Sequence, residues 1–202
     1  MNSCYKGDKI VKQKIIQLIA ISIFLASTVS TFAKTETYTI DPVHSSITFK
    51  IRHFFSKVTG NFNQFDGQIV VDHENMDKSQ TKASIDVRSI NTRNEKRDNH
   101  LRSEDFFDVA KFPTMTFQSK KWNKVSENEF DVTGDLSLHG VTKEVVLKVK
   151  ALGFGDGPDG VYLSGWEGST KIKKSDFGIT YGGASLGDEV EIIIEVEAQK
   201  EA

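Results

Sequence analysis

An all-β domain, an antiparallel barrel of roughly eight strands with one or two short helices, is what this 202-residue sequence predicts. Three observations carry the expectation. Apolar residues recur with period two in many short runs, turn residues separate those runs, and helical patterns are few.

Residues 1–33 are set aside first, because they read as an address rather than as structure. Lys6, Lys9, Lys12 and Lys14 make a positive start, Ile15 to Val29 is a mostly apolar run, and Thr31-Phe32-Ala33 places small residues where a signal peptidase reads them. The run is shorter than the roughly 20 apolar residues of a spanning helix. Cys4 precedes it, on the wrong side for a lipoprotein. The expectation is a cleavable signal peptide over 1–33, cut near Ala33, and one domain over 34–202 exported to the periplasm without a stable membrane anchor. Cleavage removes the only cysteine, so disulfides and thiol chemistry are excluded. It also removes four lysines and one aspartate from the chain's 26 basic and 28 acidic residues, which leaves 22 against 27, a formal charge of −5. That balance argues against general nucleic-acid binding.

The runs then follow in order. Ile47, Phe49 and Ile51 alternate with Ser46, Thr48, Lys50 and Arg52; Ala83, Ile85 and Val87 alternate with Ser84, Asp86 and Arg88. Met115 and Phe117, then Val132, Leu136 and Leu138 with Gly134 among them, continue the pattern. Val145 to Ala151 and Val190 to Ala198 complete it. Such rows put one face on a core and one in water. Asn61, Asp66-Gly67, His139-Gly140, Gly153 to Gly160 and Gly182-Gly183 mark turns. Closure removes exposed edges, and about eight strands is the size at which an interior fills with side chains or holds one small ligand. Asn91 to Leu101 is the best helical segment, with Asn91 or Thr92 as N-cap and Glu95 in capping-box reach. Asn75 to Ser79 reads as a single turn, and Phe106 to Pro113 as a connector.

Residues 34–202 hold twelve phenylalanines. They either pack the barrel or line a tunnel for an apolar ligand, and spacing leaves both open. The adjacent pairs Phe54-Phe55 and Phe106-Phe107 fall outside alternation, where a barrel has its mouth. His44, His53, His73, His100 and His139 form no H-x-H or H-E-x-x-H, so no metal site is expected. No G-x-S-x-G, G-x-G-x-x-G or P-loop string is present. The charged stretch Asn94 to Asp105 is either a solvated helix or a gate in which Arg97 or Arg102 meets a phosphate. Lys171, Lys173 and Lys174 form a second cationic cluster.

Several ordered strings together resemble the YceI-like family of exported bacterial proteins. They include Ile40-Asp41-Pro42-Val43-His44-Ser45, Gly60-Asn61-Phe62 and Asp86-Val87-Arg88-Ser89-Ile90-Asn91-Thr92. Arg97 to Asp108, Gly134 to Lys143, Ser175-Asp176-Phe177-Gly178-Ile179 and Gly187-Asp188-Glu189-Val190 follow in the same order. The resemblance spans essentially all of 34–202 and implies an extended lipocalin-like barrel around a long apolar tunnel. It implies a non-enzymatic binding protein that holds a polyisoprenoid, a quinone or a similar long-chain amphiphile, for carriage, storage or stress protection, with no other cofactor. Phe49, Ile51, Phe54, Phe55, Phe106, Phe107, Phe117, Trp122, Leu138 and Trp166 are the expected wall. His53, Arg97, His100, Lys171 and Lys173 are the expected headgroup or mouth residues. Relatives are often dimeric, so a homodimer is a further expectation. Arg93 stands where this family often has glycine, and Lys173-Lys174 where an arginine often precedes Ser-Asp-Phe-Gly. An enzyme using His44, His53, Asp98 or His100 on a lipid-like substrate is the alternative, and a side-chain-filled interaction module the third reading.

Overall fold

Each alternating run becomes a strand in the computed structural model, which describes residues 35–201. The expected signal segment, with Cys4, lies outside the described residues. The strands are β1 (Thr35–Ile40), β2 (Ser46–His53), β3 (Ser56–Phe62), β4 (Phe65–Asp72), β5 (Gln80–Asp86) and β6 (Ile90–Asn91). After the helix α1 (Glu95–Arg102) come β7 (Thr114–Lys124), β8 (Glu129–Leu138), β9 (Val141–Asp156), β10 (Tyr162–Lys173) and β11 (Leu186–Lys200).

All pairings are antiparallel, and β1, β4, β5, β7, β8, β9, β10 and β11 form a ring that closes where Ile40 meets Ala198. The other three strands lengthen this ring. β2 follows β1 along the same strand β11, with Ile51 opposite Val190; β3 pairs with β2 and β6 with β3. The barrel is therefore eight strands, three of them interrupted, at residues 41–45, 63–64 and 87–89. Pro42 sits in the first break, where its missing N–H costs no ladder bond. Val87 is not the strand residue its parity suggests: it lies in a 3-10 turn, Val87–Ser89, capped by Asp86, and is still buried.

The ring is incomplete in its upper half. β7 begins at Thr114 opposite Asp86, so β6 has no strand on its other side. The helix covers that edge. The Arg102 guanidinium donates to the carbonyls of Arg88 (2.8 Å) and Ile90 (2.8 Å), which satisfies backbone that a missing strand would have paired. α1 starts later than the charge pattern suggests: Asn94, not Asn91 or Thr92, is the N-cap, accepting from Arg97 N at 3.0 Å. Arg93 has φ +61, the left-handed conformation that explains why glycine suits this position. Asn75 caps a 3-10 turn at Met76–Lys78 as expected.

Inside, large and small residues interlock. The Phe117 ring lies over Gly134, where an added Cβ would stand 2.5 Å from Phe117 Cζ and 2.6 Å from the Gln118 carbonyl oxygen. At the base Tyr38, Phe154, Trp166, Trp122 and Phe130 stack in a chain with centroids 5.4 to 5.8 Å apart. Behind this plug Glu36 binds Lys200 Nζ (2.7 Å), His73 Nε2 (2.9 Å) and the Tyr38 hydroxyl (2.7 Å). The bond from Lys200, then that from Tyr38, holds the Glu36 carboxyl down at about 2, and burial with the Glu36 charge pushes the Tyr38 phenol up.

Two outcomes follow from this packing. Gly134→Ala should lower stability by about 1–3 kcal/mol, because the nearest atoms include backbone that cannot turn aside; urea midpoints at an unchanged slope check it. Glu36 is depressed when folded, so its contribution is complete above its ordinary pKa near 4.5 and is lost as pH falls toward about 2. Glu36→Gln should cost about 2 kcal/mol at neutral pH, and the gap to wild type should narrow in acid; melting curves across that window measure it.

Candidate functional site

Inward parity in β4, β5, β7, β8, β9 and β11 leaves an apolar chamber of about 130 Å³ low in the barrel, walled by residues such as Ile69, Phe117, Trp122, Leu147 and Trp166. Above it lies a second chamber of about 430 Å³, walled by Phe49, Ile51, Phe62, Phe106, Phe107 and Leu138 among others. Ile47, Met115 and Ile192 line both, which places the two in series with those three side chains at the neck. Phe49, Phe62 and Phe107 stack along the upper wall at 5.7 and 6.1 Å. Phe49 reaches over Gly60, whose missing Cβ leaves room for the ring.

Eight of the ten expected wall residues line one of these chambers: Phe117, Trp122 and Trp166 the lower, and Phe49, Ile51, Phe106, Phe107 and Leu138 the upper. Phe54 and Phe55 do not. They form the two-residue turn between the paired His53 and Ser56, Phe54 56% exposed and Phe55 fully so. Trp166 Nε1 donates to Ser164 Oγ at 3.0 Å, whereas the buried Trp122 Nε1 finds no acceptor among the described residues.

The rim carries the polar groups. His53, Arg97 and His100 line the upper chamber. Arg97 donates through Nε to Thr92 Oγ1 (2.7 Å) and through Nη2 to the Thr92 carbonyl (2.8 Å), while Thr92 N and Oγ1 donate to the buried Asp98 carboxylate. His100 bonds Asp105 at 2.9 Å, and its ring meets Phe106 and Tyr181 edge-on at 5.0 Å. Lys171 and Lys173 are misplaced in the sequence reading. They stand on the parity opposite the buried Ile172, so they point outward, Lys171 onto Glu189 at 2.9 Å. The inward cation is Lys174, two residues past the buried Ile172 and on the same parity, where the strand passes into a 3-10 turn. Its ammonium donates to the Ile179 (3.1 Å) and Tyr181 (3.0 Å) carbonyls. Tyr181, Met115 and Ile192 also escaped the sequence-level wall; the parity of the last two was the available signal.

The residues of the enzymatic alternative are divided between separate settings. Asp98 serves Thr92, and His53 and His100 belong to the rim. His44 pairs outside both chambers with Asp41 (2.8 Å) and Glu197 (3.7 Å), an exposed group whose hydrogen bond to Asp41 raises the imidazole's pKa.

A closed antiparallel barrel with a largely apolar inner chamber behind an aromatic-walled mouth is a lipocalin-like barrel. The chain belongs to the YceI-like family, whose domain model matches residues 38–198. It is 43% identical over 155 residues to a UPF0312 protein of Pseudomonas aeruginosa, covering 76% of this chain and 81% of that one. Among solved structures it is similar to the Campylobacter jejuni YCEI protein, at 36% identity and TM-score 0.68, over 73% of this chain and 88% of that one. It also shares the fold of a polyisoprenoid binding domain from Saccharophagus degradans, at 16% identity and TM-score 0.63, over 81% and 98%.

Lys174→Met should cost about 1.5–3 kcal/mol, because the buried Ile179 carbonyl and the partly buried Tyr181 carbonyl lose a charged donor. Hydrogen exchange localised to residues 179–186, with the barrel strands still protected, is the expected signature.

Proposed function

We propose that this protein holds a long-chain isoprenoid, as a prenyl lipid or a prenylated quinone, in the two chambers without chemically altering it. The observation that carries the reading is the series arrangement: a wide mouth and a mostly apolar inner chamber joined at Ile47, Met115 and Ile192, with the cationic side chains on the upper chamber alone. A chain threaded through the neck buries apolar area at about 25 cal/mol per Å². The polar head then stays at the upper end, near His100 and the Arg97 Nη1, which makes no hydrogen bond among the described residues. The fold relative described as polyisoprenoid binding supports the same ligand class. Export to the periplasm accords with the sequence of residues 1–33. In that aqueous compartment, sequestration keeps such a chain dispersed, for carriage, storage or protection.

Native mass spectrometry of the purified protein, with extraction of its lipid, tests the proposal. A barrel that emerges empty and ignores prenyl lipids in titration overturns it. Met115→Trp narrows the neck; binding of a long prenyl chain should weaken by at least about tenfold, roughly 1.4 kcal/mol, while a short prenyl alcohol that fits the upper chamber keeps its affinity.

A further inference from the structure

The β2–β3 hairpin is built against the ordinary rules for a turn. Its two central residues are Phe54 and Phe55, in the place where Asn-Gly or Gly-Ser would be expected. Phe54 has φ +49, a left-handed conformation unfavourable for a bulky side chain. Phe54 meets only the His53 ring, edge-on at 4.9 Å, and stays 56% exposed, while Phe55 is fully exposed. A position that violates local preference for so little packing points to a role outside folding.

The surroundings define that role. Residues 52–57 read Arg-His-Phe-Phe-Ser-Lys, with no carboxylate of their own, in a domain whose formal charge over 34–202 is −5; Lys57, itself largely exposed, meets Glu191 of β11 at 3.3 Å. The Arg52 guanidinium donates to the Phe54 carbonyl at 3.1 Å and braces the tip. Phe54 N donates to the Ser185 carbonyl at 2.9 Å, and Ser185, His53 and Leu186 all line the upper chamber. The two rings therefore stand on the rim of the tunnel mouth, where Tyr181 is a third aromatic, 47% exposed.

We propose that this hairpin tip docks the tunnel mouth on an anionic lipid bilayer. Exposed aromatic rings flanked by basic side chains suit the headgroup region, where rings sit at the interface and Lys or Arg meet anionic lipid. Two phenylalanines, at about 150–250 Å² each, fall well short of the roughly 1,000 Å² of a stable protein interface. Their purpose rests on the tunnel reading above: docked in this way, an insoluble amphiphile passes between bilayer and barrel without crossing water.

The test is sedimentation with vesicles of phosphatidylethanolamine and phosphatidylglycerol, using protein recovered from the periplasm of an expressing bacterium. The wild type should pellet with the vesicles, less so in high salt. Phe54→Gly/Phe55→Ser supplies relaxed turn chemistry, so it should melt no lower than wild type. It should bind the vesicles at least about tenfold more weakly. Uptake of a prenyl lipid from detergent micelles should be unchanged in the variant, and uptake from vesicles slowed. Equal pelleting of the two proteins, or a wild type that stays in the supernatant, overturns the proposal. A protein that takes up no prenyl lipid from micelles but still pellets through Phe54 and Phe55 removes the tunnel reading and supports docking.

Discussion

The continuity of β11 is the constraint on which the rest of the structure depends. One strand of 15 residues carries β2 on its first part and β1 on its last, so the two must lie in line along it. Once they do, their neighbours β3 and β4, and then β6 and β5, are forced into line as well. The barrel becomes longer than any of these short strands. Length is what allows two chambers in series instead of a single pocket.

The same elongation creates a debt in hydrogen bonds. β7 starts too low to pair with β6, and residues 174–181 leave the ladder before β11 begins. Cations meet part of that need. Arg102 serves the carbonyls of β6, Arg97 serves Thr92, and Lys174 serves Ile179 and Tyr181. A buried carbonyl without a donor costs about as much as a lost hydrogen bond. Much of the positive charge beside the mouth is thus spent on holding the mouth open, and only its remainder faces the chamber. The lower half needs no such help, because its ring is complete and its interior is apolar.

The hairpin tip illustrates the opposite balance. Where Asn75 caps its 3-10 turn, turn chemistry and conformation agree. At Phe54-Phe55 they disagree, and the disagreement coincides with the rim of the tunnel. Strain and exposure in one place, next to the opening, form a more specific signal than either would alone.

Alternation made the strands, the barrel and most of the wall legible, because the pleat sends every second side chain to one face whatever its neighbours are. Phe49, Ile51, Phe117, Leu138 and Trp166 follow from that rule, whereas Trp122 turns inward only past a bulge and Phe106 and Phe107 lie on a connector. The same rule, applied through Ile172, would have turned Lys171 and Lys173 outward. The ordered strings likewise marked the family. Sequence could not show where a strand stops alternating. Phe54 and Phe55 leave the wall because they are the turn itself, whereas Lys174 keeps the inward parity of Ile172 into its 3-10 turn. Nor could it show that three strands are broken and realigned along β11, since that depends on pairings between residues over a hundred positions apart. Local periodicity thus determined which residues are apolar and inward. Long-range hydrogen-bond register alone decided that they surround two chambers and a neck.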